Sequence, residues 1–180
     1  MTIDAREAAA ALGEIATITA RVRQSRIYRF ASASLILWGA VVGAGNLVTF
    51  LAPDTARWVW PVVWAAGIAG SVALALLTRG PRYEWRLLAS LLVFFGFGLL
   101  WSAGIAQFTP RQLGVFWPTY FMLAYVMAGL WFGTAFVAIG LGITALTLAG
   151  YFWAGAWFPL WMAVVNGGGL VLGGLWMRRP

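Results

Sequence analysis

From Leu113 to Trp176 the chain runs for 64 residues without one charged side chain. A single helix of that length would measure about 96 Å, some three times the ~30 Å hydrocarbon thickness of a bilayer. The run must therefore fold back on itself in a medium that does not hydrate it. Turns fit best near Phe132-Gly133 and between Gly150 and Gly155. Three spans result, over residues 113–131, 134–151 and 157–176.

The first half has the same character with sharper punctuation. Phe30 to Ala52 ends at Pro53-Asp54, Trp58 to Thr78 ends at Arg79-Gly80-Pro81-Arg82, and residues 87–106 stop short of Pro110-Arg111. Over the 180 residues, 62% are hydrophobic and 9% charged, against about 45–50% and ~25% in soluble domains. The expected fold class is an all-α integral membrane protein. Six transmembrane helices (30–52, 58–78, 87–106, 113–131, 134–151, 157–176) form one domain over residues 30–180, preceded by an amphipathic cytoplasmic helix over residues 1–29. In that arm Asp4, Glu7 and Glu14 come early and Arg21, Arg23, Arg26 and Arg29 late, matching charge to the helix dipole. Leu12, Ile15, Ile18 and Val22 recur at helical spacing, and Thr2 or Asp4 stands where a cap would. The apolar stretch behind the arm is a full span, so no cleavable signal peptide is expected.

Arginine sets the orientation, because lysine is absent. Arg6, Arg21, Arg23, Arg26, Arg29, Arg79, Arg82, Arg86, Arg178 and Arg179 fall on one set of loops and ends, and only Arg57 and Arg111 on the other. The positive-inside rule then places both termini in the cytoplasm, in a bacterial inner membrane. An even number of spans follows.

Several chemistries are excluded. There is no histidine and no cysteine, so imidazole or thiolate metal sites, disulfides and His- or Cys-based catalysis are closed. No Asp, Glu, Lys or Arg lies inside a proposed span, which disfavours coupled transport through a buried carboxylate. Asp54, Glu84, Arg57 and Arg111 sit at membrane edges beside turns. Glu84, among Arg79, Arg82 and Arg86, reads as an ion-pair partner. The arginines read as topological flanks, and no nucleic-acid partner is expected. Neither enzymatic activity nor a metal is expected, and no cofactor is assigned.

What remains at depth is neutral: Asn46, Ser71, Ser90, Ser102, Thr119, Thr134, Thr144, Thr147 and Asn166. Most such hydroxyls bond to a carbonyl of their own helix. Asn166 differs in preceding Gly167-Gly168-Gly169, a triplet costing about 3 kcal/mol of helix propensity. Two readings stay open. The segment packs closely on a neighbour, with Gly39-x-x-x-Gly43, Gly129-x-x-x-Gly133 and Gly169-x-x-x-Gly173 as helix-contact faces. Alternatively the helix is broken, and Asn46, Asn166 and the triplet Gly167, Gly168 and Gly169 present amides and carbonyls to a solute.

Tryptophan is the other excess, twelve residues, of which eight fall toward the outer side. Trp60, Trp64, Trp117, Tyr120, Trp157 and Trp161 form an expected outer aromatic cluster. It either anchors the interface, lines a pocket for a flat apolar ligand such as a quinone, isoprenoid or pigment, or meets a partner subunit. Aromatic-Pro pairs at Trp60-Pro61, Trp117-Pro118 and Phe158-Pro159 are expected in the first turns of spans two, four and six. Leu37-Trp38-Gly39-Ala40-Val41-Val42 in span one is matched by Leu160-Trp161-Met162-Ala163-Val164-Val165 in span six, a pairing of opposite directions such as inverted repeats produce.

The functional expectation is a non-enzymatic accessory or regulatory subunit of a membrane complex, whose partners are the lipid bilayer and other membrane subunits or further copies of itself. The alternative is a small oligomeric channel or facilitator for an uncharged or lipophilic solute.

Overall fold

A computed structural model describes residues 5–77 and 85–178. All regular structure among them is helical. The first helix, α1 (Ala5–Leu51), joins the arm and the first span in one rod of 47 residues, about 70 Å long. No proline interrupts it, and nothing at Phe30 marks a boundary in the backbone. The expected caps Thr2 and Asp4, the turn bearing Arg79, Arg82 and Glu84, and Arg179 lie outside the described residues, as do the side chains of Arg6, Arg21, Arg23, Arg26 and Arg86.

A short 3-10 turn, Pro53–Thr55, leads into α2 (Ala56–Leu77). Next come α3 (Trp85–Leu99), which runs on as a π-helical turn Leu100–Ile105, then α4 (Pro110–Phe132) and α5 (Thr134–Trp153). After a second 3-10 turn, Gly155–Trp157, the last rod is built from α6 (Phe158–Met162), a π-helical turn Ala163–Gly168, and α7 (Gly169–Trp176). Among the described residues, five stretches are long and apolar enough to cross a membrane: Tyr28–Leu51, Pro53–Leu77, Pro110–Phe132, Thr134–Trp153 and Gly155–Trp176. A shorter apolar helix, Ala89–Ile105, stands among them.

Two proline positions correct the first-turn expectation. Of the three, Pro159 lies in a first turn, while Pro61 and Pro118 lie inside α2 and α4. α2 begins at Ala56, and α4 begins at Pro110 rather than at residue 113, because Thr109 and Gln112 form a capping box. The Thr109 N–H donates to Gln112 Oε1 at 2.8 Å, and the Gln112 N–H donates to Thr109 Oγ1 at 3.3 Å. The preceding turn holds Gln107 in the left-handed region at φ 47°.

The helices alternate in direction. Phe50 meets Trp157 with ring centroids 5.3 Å apart, and Arg111 reaches Gly155 and Tyr151, so three turns gather at one end of the bundle. At the other end the Tyr28 hydroxyl donates to Phe132 O at 3.2 Å, the Ser32 hydroxyl to Gly174 O at 2.6 Å, and Arg178 Nε to Ser32 Oγ at 3.0 Å. The start of the first span and the end of the last therefore lie together. These bonds have a common logic, since the last carbonyls of a helix lack an intrahelical partner and a bilayer offers no water to replace it. Tyr28 serves the end of α4, Ser32 the end of α7 and Arg111 the end of α5.

A core of Leu35, Met122, Phe136, Ile139, Ile143, Leu170 and Met177 draws on α1, α4, α5, α7 and the residue just beyond it. Here α1 and the last rod run antiparallel as the central pair, α2 flanks α1, and α5 flanks the last rod with α4 against it.

Candidate functional site

Glycine brings the central pair into backbone contact. A β-carbon on Gly39 would stand 2.7 Å from Gly167 O, and one on Gly43 would stand 3.3 Å from Gly167 Cα. Gly39-x-x-x-Gly43 is thus a contact face, and its mate is Gly167. Gly169 and Gly173 face the other way, onto Ile143 and Ile139 of α5, at 3.3 and 2.9 Å for an added β-carbon. Gly129 packs on Val137 across the α4–α5 turn, whereas Gly133 is the turn itself, at φ 133°. Gly168 has open space over it.

The pathway candidates therefore separate. Gly167 is closed against α1, and the Asn46 amide donates to Val42 O of its own helix at 3.0 Å. Asn166 lies in the π-helical turn, 5% exposed, and its side chain makes no hydrogen bond among the described residues. Thr147 on α5 is fully buried, and its hydroxyl is without a partner among the described residues. Ile143 against Gly169 and Trp161 against Gly150 bracket these two residues on neighbouring antiparallel helices, so they stand at one depth. The rod is wound as a π-helix here rather than broken. Such turns relieve a helix of one residue too many and concentrate at functional sites.

The aromatic residues also divide. Trp64, Trp117 and Tyr120 do come together, joined by Trp38, Phe94, Phe95 and Phe121. Trp64 lies 5.5 Å from Trp117 and 5.7 Å from Trp38, both edge-on, and Phe94 stacks on Tyr120 at 4.1 Å. The Tyr120 hydroxyl donates to Phe94 O at 3.0 Å, tying α3 to α4. These rings fill their own space in edge-to-face contact, linking α1, α2, α3 and α4. Trp157 is elsewhere, on Phe50. Trp161, in α6, packs against α5, its ring over Gly150 and its Nε1–H donating to Leu146 O at 2.8 Å. Trp60 is half-buried without a ring partner among the described residues.

Arg111 is spent on structure. Its two terminal nitrogens donate to Gly155 O at 3.0 Å and Tyr151 O at 2.8 Å, with the guanidinium over the rings of Tyr151 and Phe158. Among the described residues no three His, Cys, Asp or Glu converge on a point where a metal would sit.

Two apolar grooves lie between helices. One, of about 330 Å³, lies between α5 and α7 and is lined by Ala138, Gly142, Leu146, Gly169, Leu172 and Gly173 among others. The second, of about 580 Å³, lies between α1 and α2. Comparison with family models, characterised proteins and solved structures finds nothing that matches this chain.

Proposed function

We propose that the chain is a non-enzymatic, six-span accessory or regulatory subunit of a complex in the bacterial inner membrane, with both termini cytoplasmic. The observation that carries this reading is the glycine-lined groove between α5 and α7. Transmembrane helices associate where small residues let backbones approach, and within this chain Gly39, Gly43 and Gly167 already do so. Gly142, on the groove, has nothing within 4 Å of the place a β-carbon would occupy. The occupant we assign to it is a transmembrane helix of another subunit. A sixth span is supported by α3, whose 15 residues and π-helical continuation of 6 cover about 31 Å together. An even count agrees with Ser32 and Arg178 meeting at one end.

Purification in mild detergent with mass analysis of the intact complex tests the reading. A photo-crosslinking residue at position 142 should attach to a foreign subunit present in stoichiometric amount, and Gly142→Leu should lose that subunit while the chain stays folded. A homo-oligomer or monomer with no foreign subunit would overturn it.

The facilitator reading is favoured by the unbonded Asn166 amide and the Thr147 hydroxyl at one depth. It demands that Asn166→Leu abolish solute flux into liposomes without unfolding the protein; retained flux would sink it.

A further inference from the structure

We infer that the groove between α1 and α2 is a binding site for one anionic phospholipid, with an acyl chain in the groove and its phosphate on Arg57. The inference goes beyond the subunit reading and stands without it.

The groove follows from how the two helices touch. Their contact line runs through Gly45 against Val63, Gly67 against the Trp38 ring and Gly70 against Leu37. Beside that line the facing residues are too short to fill the angle between two cylinders. Ala40, Ala44 and Val48 form one wall, and Trp58, Val62 and Ala66 the other. From Val48 to Ala40 the trough descends about 12 Å into the bilayer. That depth suits the upper part of an acyl chain.

At the mouth the chemistry changes from apolar to charged, with Arg57 at the edge of the trough and Asp54 three residues before it. Trp58 is 68% exposed, and the Arg57 guanidinium lies 5.5 Å from its ring centroid. Arg57 is exposed and makes no ion pair among the described residues. The contrast with Arg111 at the same end is direct, because Arg111 has both terminal nitrogens committed to carbonyls. Arg57 thus leaves an open, planar donor set at the edge of a trough, which suits a phosphate. Leaving the bulk lipid for the groove brings an acyl chain no hydrophobic gain, since lipid tails are as apolar as the wall. Selectivity must therefore come from the headgroup and occupancy from the shape of the trough.

The two contributions can be tested separately on the purified full chain by native mass spectrometry, with phosphatidylglycerol and phosphatidylcholine supplied in equal amount. The wild type should retain phosphatidylglycerol about fivefold over phosphatidylcholine, the factor that one interfacial arginine contributes. Arg57→Gln should erase that preference while lipid is still retained. Ala44→Leu, at an exposed position on the wall, should displace both lipids, and unchanged thermal unfolding would show that the fold is intact. Equal retention of the two lipids by the wild type would overturn the assignment. So would undiminished lipid on Ala44→Leu, or a dimer that fills the groove and excludes lipid.

Discussion

Gly43 and Gly167 approach so closely that a β-carbon on Gly167 would fall 2.5 Å from Gly43 Cα. No side chain can be inserted there unless the two central helices move apart. Gly167→Ala should therefore lower stability by about 1–3 kcal/mol, the usual cost of overpacking. Gly168→Ala is the internal control, because nothing stands within 4 Å of its β-carbon position, and it should be neutral or slightly stabilising. Thermal unfolding of the two variants in the same detergent checks this, and equal effects would show that the seam is not tight.

Gly169→Leu probes the other side of the same rod. A leucine there would press on Ile143 and force α5 away, so misassembly or a lowered unfolding temperature is expected. Normal assembly on gel filtration would contradict the packing described for α5 and α7.

Removing the Arg111 side chain should free the Gly155 and Tyr151 carbonyls at the end of α5. Hydrogen bonds from charged donors contribute about 1.5–3 kcal/mol, and Arg111→Gln should lose an amount in that range. Arg111→Lys should recover only part of it, because an ammonium cannot reproduce the planar fork that spans both carbonyls. Full recovery with lysine, measured by thermal unfolding, would refute the two-carbonyl cap.

Thr147 offers a change in the opposite direction. Its hydroxyl is buried with no partner among the described residues, a condition that costs about 1–3 kcal/mol. Thr147→Val keeps the shape and removes the polar atom, so stability should rise by about 1 kcal/mol. A loss instead would reveal that the hydroxyl has a partner in the membrane, and a solvent-exchange signal at this depth would identify it as water.

The spacing of Gly39 and Gly43 was legible in the sequence, but what stands opposite them was not, and Gly133 is a turn rather than part of a face with Gly129. Spacing by four puts Gly39 and Gly43 on one face and says nothing of what lies opposite. The triplet at Gly167 concealed that its members serve different neighbours, Gly167 meeting α1 and Gly169 meeting α5. Tryptophan position along the chain reports depth but not direction around the helix, which is why Trp64 and Trp117 meet while Trp157 and Trp161 go to other partners. The capping box at Thr109 and Gln112 could have been read from its spacing, and it would have placed the start of α4 correctly. Nothing in residue type distinguishes a π-helical turn from an unwound one, because both tolerate the same glycines.

The paired motifs around Trp38 and Trp161 acquire a physical meaning. Each indole lies over a glycine of the neighbouring antiparallel helix, Gly67 for Trp38 and Gly150 for Trp161, and each donates its N–H there, to Ser71 Oγ at 3.1 Å and to Leu146 O. Replacing either with phenylalanine should cost about 1 kcal/mol for the lost donor, with Gly150→Ala costing more than Trp161→Phe. The reverse order in an unfolding series would mean that the hydrogen bond outweighs the close fit.

The bond from Ser32 to Gly174 spans 142 residues of chain. At a synthesis rate of about 5–20 residues per second, the first rod waits roughly 7–28 s in the membrane before its partner is made. During that interval its bare backbone stripe at Gly39 and Gly43 is open to any helix passing through the insertion machinery. The backbone seam of the central pair is thus completed last, and a ribosome that stalls late leaves behind a chain whose glycine face on the first rod is still uncovered.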